Sequence, residues 1–225
     1  MMTRAELKAA ILESSPSEFC RRYLFDQDVW IFEPGSEMNL RGTYHDLKYA
    51  ISNCIDIAPN NVAIVGSGKM GFSLNPSKSD LLPPFNNNSD IDLVIVSPSI
   101  FNEAWRDLRT AYLAGHTQLR DLFRDSIFVR FLVLNDKIKT PSTYLRDTLL
   151  KVTEMKRVLQ LEVRLKRQIN YRVYADWGDV EAYHAHSAGR LYLSGCQCLK
   201  SIYGNSQWSQ RLEITVIALW MVSKD

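Results

Sequence analysis

The 225-residue chain is short of cysteine, of net charge and of long apolar runs, and each shortage removes a class of protein. Cys20, Cys54, Cys196 and Cys198 are too few and too unevenly placed for the disulfide framework of a small secreted domain. No CxxC pair with a matching His or Cys pair accompanies them, so reduced thiols are expected. No stretch approaches the roughly 18 uninterrupted apolar residues of a membrane span. The opening MMTRAELKAAILESSPSEF also lacks the apolar core of a signal peptide. These features predict a cytoplasmic protein with no membrane attachment. Lys and Arg number 27 against 25 Asp and Glu, a formal charge of +2, which is too small to mark a nucleic-acid binder by bulk charge. Repeats, low-complexity tracts and linkers are missing too. What remains, 46% hydrophobic and 23% charged residues, is the composition of a globular protein with a sizeable core.

The order of elements follows from periodicity and punctuation. Thr3 with Glu6 three places on is a capping-box spacing, which predicts a helix over 3–13 stopped by Pro16. After the turn-rich FEPGSEMNLRGTY, the spacing of Tyr44, Leu47, Ala50, Ile51 and Ile55 predicts another helix. VAIVG at 62–66 and DIDLVIV at 90–96 read as strands joined by a polar, Pro-rich loop. Phe101, Trp105, Leu108 and Tyr112 predict a crossover helix running to about residue 123, and SIFVRFLVL at 126–134 a strand. Past Pro141 come a long helix with one basic face, an alternating strand INYRVY at 169–174, and a helix from about residue 179. The apolar run at 214–222 suits core packing, or packing against a partner chain. The expected fold is α/β, a small mixed sheet with N-terminal helices and a largely helical C-terminal half. Its soft division lies between residues 1–140 and 141–225.

Gly66-Ser67-Gly68-Lys69-Met70-Gly71 after VAIV matches the glycine spacing of dinucleotide-binding folds. That chemistry needs a long helix to start in the turn, whereas Pro76, Pro83, Pro84 and three asparagines follow. The acidic residues also open the second strand instead of closing it. The Walker phosphate loop fails as well, since no GxxxxG precedes Lys69. Asp90 and Asp92 give a different signal: a period of two puts both carboxylates on one side of the strand, continued by Val94 and Val96. Two like charges that close are costly unless a cation lies between them, and Mg²⁺ or Mn²⁺ matches their hard oxygen ligands. Solvated acids at an exposed strand start are the plain alternative.

Taken together, the Gly66-Ser67 turn, the small-residue stretch to Gly71 and Asp90-x-Asp92 on an apolar strand resemble the nucleotidyltransferases of the DNA polymerase beta superfamily. The resemblance covers about residues 44–135. It implies a core in which backbone amides and the Ser67 hydroxyl hold a nucleoside triphosphate and the two aspartates bind metal. Lys69 and Ser73 become further candidates for the phosphate cradle. The loop from Gly68 to Ser89 is longer than the family's usual spacing. The resemblance also implies a third carboxylate on a later strand; Asp136, Asp176, Asp179 and Glu213 are the candidates, and Asp176 is preferred because it ends an alternating strand near Arg172. Its plain alternative is a helix cap.

Other features have structural readings beside functional ones. Lys151, Lys156, Arg157, Arg164, Lys166 and Arg167 form a stripe that would face a triphosphate or nucleic acid, or simply solvent, with Glu154 and Glu162 at helical spacing. His184 and His186 diverge by about 200° on a helix and cannot share a metal, although one is free to meet substrate. Trp177, Tyr183, Tyr192 and Tyr203 offer either a stacking surface or helix packing. The expected activity is metal-dependent transfer of a nucleoside monophosphate to RNA, a protein, a small molecule or a nucleotide. The alternative is an inactive nucleotide-binding or regulatory module of the same fold, such as a partner of a toxin or defence protein.

Overall fold

A computed structural model describes residues 2–36, 38–78, 81–134 and 142–203. Four strands form one mixed sheet in the order β1-β2-β4-β3: β1 (Val62–Val65), β2 (Ile91–Val96), β3 (Phe131–Leu134) and β4 (Ile169–Tyr174). β1 runs antiparallel to β2, β2 parallel to β4, and β3 antiparallel to β4. The antiparallel β1–β2 pair removes the dinucleotide-binding reading independently, because that unit joins parallel strands through its helix.

Helices cover both faces. On one lie α1 (Arg4–Glu13), the short α2 (Pro16–Phe19) with a π-helical turn at Cys20–Leu24, and α8 (Trp177–Tyr203). Leu7, Phe19, Leu24, Val180 and Leu191 there pack on Val65, Val94, Val96 and Tyr174 of the sheet. On the other lie α3 (Tyr44–Ile55), α5 (Pro98–Leu113), α6 (Thr117–Phe128) and α7 (Thr143–Val158). Leu47, Ile51, Ala104, Leu145 and Val152 pack on Ile64, Ile91, Leu93, Ile95 and Val173. The alternation of β2 therefore divides its side chains between two cores, as a strand covered on both sides must.

Local chemistry sets the element ends. Thr3 and Glu6 close a reciprocal capping box on α1, and Thr43 and Asp46 another on α3. Tyr44 at the start of α3 accepts the Ile64 N–H at 3.0 Å, satisfying a donor on the free edge of β1. Two expectations are corrected between residues 98 and 134. The single crossover helix is two, parted at Gly115, whose φ of +97° a side chain would resist. The strand foreseen over 126–134 begins only at Phe131: residues to Phe128 complete α6, and Arg130 turns the chain at φ +58°. β4, from the C-terminal half of the sequence, lies between β2 and β3, so segments on both sides of residue 140 share one sheet. Asp136, Glu213 and the apolar run 214–222 lie outside the described residues, as do the side chains of Cys196, Cys198 and Tyr203.

Candidate functional site

β1 leads directly into α4 (Gly66–Met70), and the turn between them faces the start of β2. Gly66 has φ +66°, and a Cβ built there would stand 3.0 Å from Asp92 Oδ2. Glycine is thus required twice, for the backbone and for the approach of the carboxylate. Val65 is in register with Asp92, which puts the Gly66-Ser67 turn at the same end of the sheet as the acid pair. The long loop that follows is pinned back onto the turn: Ser73 N–H donates to Pro83 O at 2.8 Å and Phe85 N–H to Gly71 O at 2.8 Å.

The two aspartates converge. The Asn170 amide nitrogen reaches both carboxylates, Asp90 Oδ2 and, at 3.3 Å, Asp92 Oδ1. Asn170 stands directly opposite Asp92 in the parallel β2–β4 register. Two residues further along β4, Arg172 Nη2 lies 3.0 Å from Asp92 Oδ1. Burial pushes the Asp92 carboxyl above its ordinary range; Arg172 opposes that shift, Asp90 adds to it, and Asn170 opposes it again.

These groups open into a cavity of about 390 Å³ whose lining includes Gly66, Ser67, Ser73, Lys78, Asp90, Asp92, Asn170, Arg172, His184 and Arg190. Three of these side chains are cationic and two are carboxylates, so the cavity favours an anion. His184 adds no charge at neutral pH. It is buried against Tyr183 and Phe25, and burial, helped by Arg172, lowers its pKa to about 3. A larger open cleft of about 650 Å³ is lined by Glu6, Glu13, Asp26, Asp28 and Glu33 against Arg22 and the Asp26-paired Lys69, a lining of net negative charge that disfavours a polyphosphate.

Of the residues foreseen as site residues, Gly66, Ser67, Ser73, Asp90 and Asp92 line the same cavity. Lys69 does not. Its ammonium group is buried and pairs with the Asp26 carboxylate and the Asp28 carbonyl, so it ties the loop after Leu24 to α4 rather than neutralising phosphate. Asp176 is not brought to the pair either. It lies beyond the far end of β4, where it accepts the Asp179 N–H at 2.9 Å in the first turn of α8 and lies 3.6 Å from Arg130. It is a helix-capping acid, the plainer of its two readings. Asp179 likewise pairs with Arg130, at 2.8 Å.

Asn170, Lys78, Arg190 and the contact of Arg172 with Asp92 are what sequence reasoning missed. The alternation of INYRVY puts Asn170 and Arg172 on one side of a strand, but nothing in the sequence says that this strand lies parallel to β2 with Asn170 opposite Asp92. In the basic stripe, Arg157 pairs with Glu154 at 2.8 Å and Arg167 bonds Asn87 of the long loop.

Asp90 and Asp92 are the two carboxylates that could hold a hard divalent cation, an ion type that takes only one or two carboxylates from protein. Among the described residues no group of three or more His, Cys, Asp or Glu side chains gathers to form a full metal cage. Compared with protein-family models, with curated proteins and with solved structures, the chain matches none. The functional reading rests on the chemistry of this cavity.

Proposed function

We propose that the chain is a metal-dependent nucleotidyltransferase with a core of the DNA polymerase beta type, moving a nucleoside monophosphate from a triphosphate to an acceptor and releasing pyrophosphate. The observation that carries this reading is the meeting of Asp90, Asp92 and the Gly66-Ser67 turn in one cationic cavity. Asp90 and Asp92 would hold Mg²⁺ or Mn²⁺. The ion supplies Lewis acidity at the phosphate and makes an acceptor hydroxyl easier to deprotonate. The Ser67 hydroxyl donates to a phosphate oxygen, and Lys78, Arg172 and Arg190 offset the charge of the polyphosphate. Phe19, Leu24 and Leu74 add apolar surface to the lining. Asn170 is an amide and takes no proton, so the acceptor proton leaves to water or to phosphate. Candidate acceptors are RNA, a protein side chain, a small molecule or a nucleotide.

A second reading, a nucleotide-binding regulatory module without catalysis, is favoured by one observation: an amide, Asn170, faces Asp92 where a carboxylate would complete the acidic set. One experiment separates the two. Purified protein is incubated with each α-labelled nucleoside triphosphate, Mg²⁺ or Mn²⁺, and total RNA or protein acceptors, with Asp90→Ala/Asp92→Ala as control. Label transferred by wild type alone supports the transferase. Binding of triphosphate without transfer supports the module, and equal behaviour of wild type and control removes the site.

A further inference from the structure

We propose that Arg172 is a built-in counter-ion that closes the Asp90/Asp92 pair to free divalent cations and yields it only when a polyphosphate arrives with the metal. The inference rests on the proposed nucleotide site and concerns its regulation: metal and phosphate have to enter together.

The acid pair is not presented bare. Asn170 donates to both carboxylates, and the Arg172 guanidinium is 3.0 Å from Asp92 Oδ1. Both latch residues come from one side of β4, two positions apart, so a single strand delivers the amide and the cation together. Arg172 is held in place. Its side chain is 21% exposed, as is that of Asp92, and its guanidinium lies 5.9 Å from the Phe131 ring and 5.7 Å from the Tyr183 ring.

A half-buried ion pair that loses one partner leaves the other poorly compensated, at a cost that solvent relieves only in part. A bare cation entering at Asp92 would impose that cost on Arg172 and set a second positive charge beside it. A metal that brings phosphate removes the penalty, because guanidinium binds phosphate oxygens at least as well as carboxylate. Lys78 and Arg190 line the same cavity and favour a metal–polyphosphate complex, which is anionic, over a free cation.

The test uses the whole protein with Mn²⁺ alone, inorganic tripolyphosphate alone, and the two together, read by titration calorimetry and by thermal shift. Wild type is expected to bind Mn²⁺ alone at least about tenfold more weakly than it binds the preformed Mn²⁺–tripolyphosphate complex. Arg172→Gln removes the counter-ion and is expected to tighten binding of Mn²⁺ alone, so that most of this difference disappears. Arg172→Met, which also deletes the cation but keeps an apolar stem against the Phe131 and Tyr183 rings, is expected to do the same and serves if Arg172→Gln folds poorly. Arg172→Lys, which keeps the cation, is expected to retain the wild-type difference; a purely structural role for Arg172 would instead lower the melting temperature without opening the site to Mn²⁺. Wild type binding Mn²⁺ alone as tightly as with tripolyphosphate would overturn the latch while leaving the nucleotide site intact, as would an unchanged difference in both opened variants. Failure of wild type to bind Mn²⁺ or tripolyphosphate in any combination would remove the site itself.

Discussion

Gly66 and Asp92 show how little room the candidate site leaves at single positions. Gly66→Ala would force a side chain into a left-handed backbone and to 3.0 Å from the Asp92 carboxylate. The expected outcome is a loss of about 1–3 kcal/mol in stability, measured by urea unfolding, together with loss of the thermal shift produced by Mn²⁺ and triphosphate. Asp92 gives the site a pH dependence of known sign. Its carboxyl is held above the usual carboxylate range by burial, so a proton stays on it at a pH where an exposed aspartate would already be charged. Metal requires the charged form. Binding of Mn²⁺ with tripolyphosphate is therefore expected to be full at neutral pH and to fall with acidification at a higher pH than an ordinary aspartate would dictate. Calorimetric titrations over a pH series check this, and a fall confined to the ordinary aspartate range would show that burial does not raise the Asp92 carboxyl.

At the scale of elements, the short helix α4 is fixed by what it is tied to more than by its own propensity. Five residues with two glycines do not make a stable helix in isolation. The Lys69 ammonium group, inside the fold, holds α4 to the Asp26–Asp28 loop through one carboxylate and two backbone carbonyls. Lys69→Met keeps the volume and deletes those bonds. Since Asp26 is partly exposed and can rehydrate, the expected cost is about 1–3 kcal/mol by urea unfolding. Triphosphate affinity, measured by calorimetry at a temperature where the variant is folded, is expected to stay within about threefold of wild type, because Lys69 does not line the site cavity. A loss of affinity of about a hundredfold with stability unchanged would return Lys69 to the phosphate cradle.

Over the whole molecule, acid stability links the sheet to α8 through His184. The folded state keeps this imidazole neutral down to about pH 3, whereas an unfolded histidine takes up its proton near 6.5. Its contribution to stability is thus fully present above about pH 6.5 and declines as the pH falls toward 3, by at most about 1.4 kcal/mol per pH unit. Asp92 acts in the opposite direction, since its raised pKa lets the folded state gain a proton first as acid is added. His184→Phe, which fits the surrounding Phe25, Tyr174 and Tyr183 rings, is expected to reduce the loss of stability between pH 7 and pH 5 by about 1–2 kcal/mol in urea titrations. An unchanged pH slope would show that the imidazole is charged in the folded state.

The sequence by itself determined the helix capped by Thr3, the periodic helix that starts at Tyr44, strands β1, β2 and β4, and the placement of Asp90 and Asp92 on one side of a strand, because capping and periodicity act over three or four residues. It did not determine the break at Gly115 or the start of β3, where a turn conformation outweighs the apolar run FVRFLVL. Nor did it determine the partners of charged side chains. Lys69 lies within the glycine motif and Asp176 ends the strand that carries Arg172, yet both pair elsewhere, with Asp26 and Arg130. Asn170 and Arg172, some 80 residues from the acid pair, are the groups that meet it. Strand order and register decide such pairings, and they depend on how whole faces pack on the two cores, which no local pattern encodes.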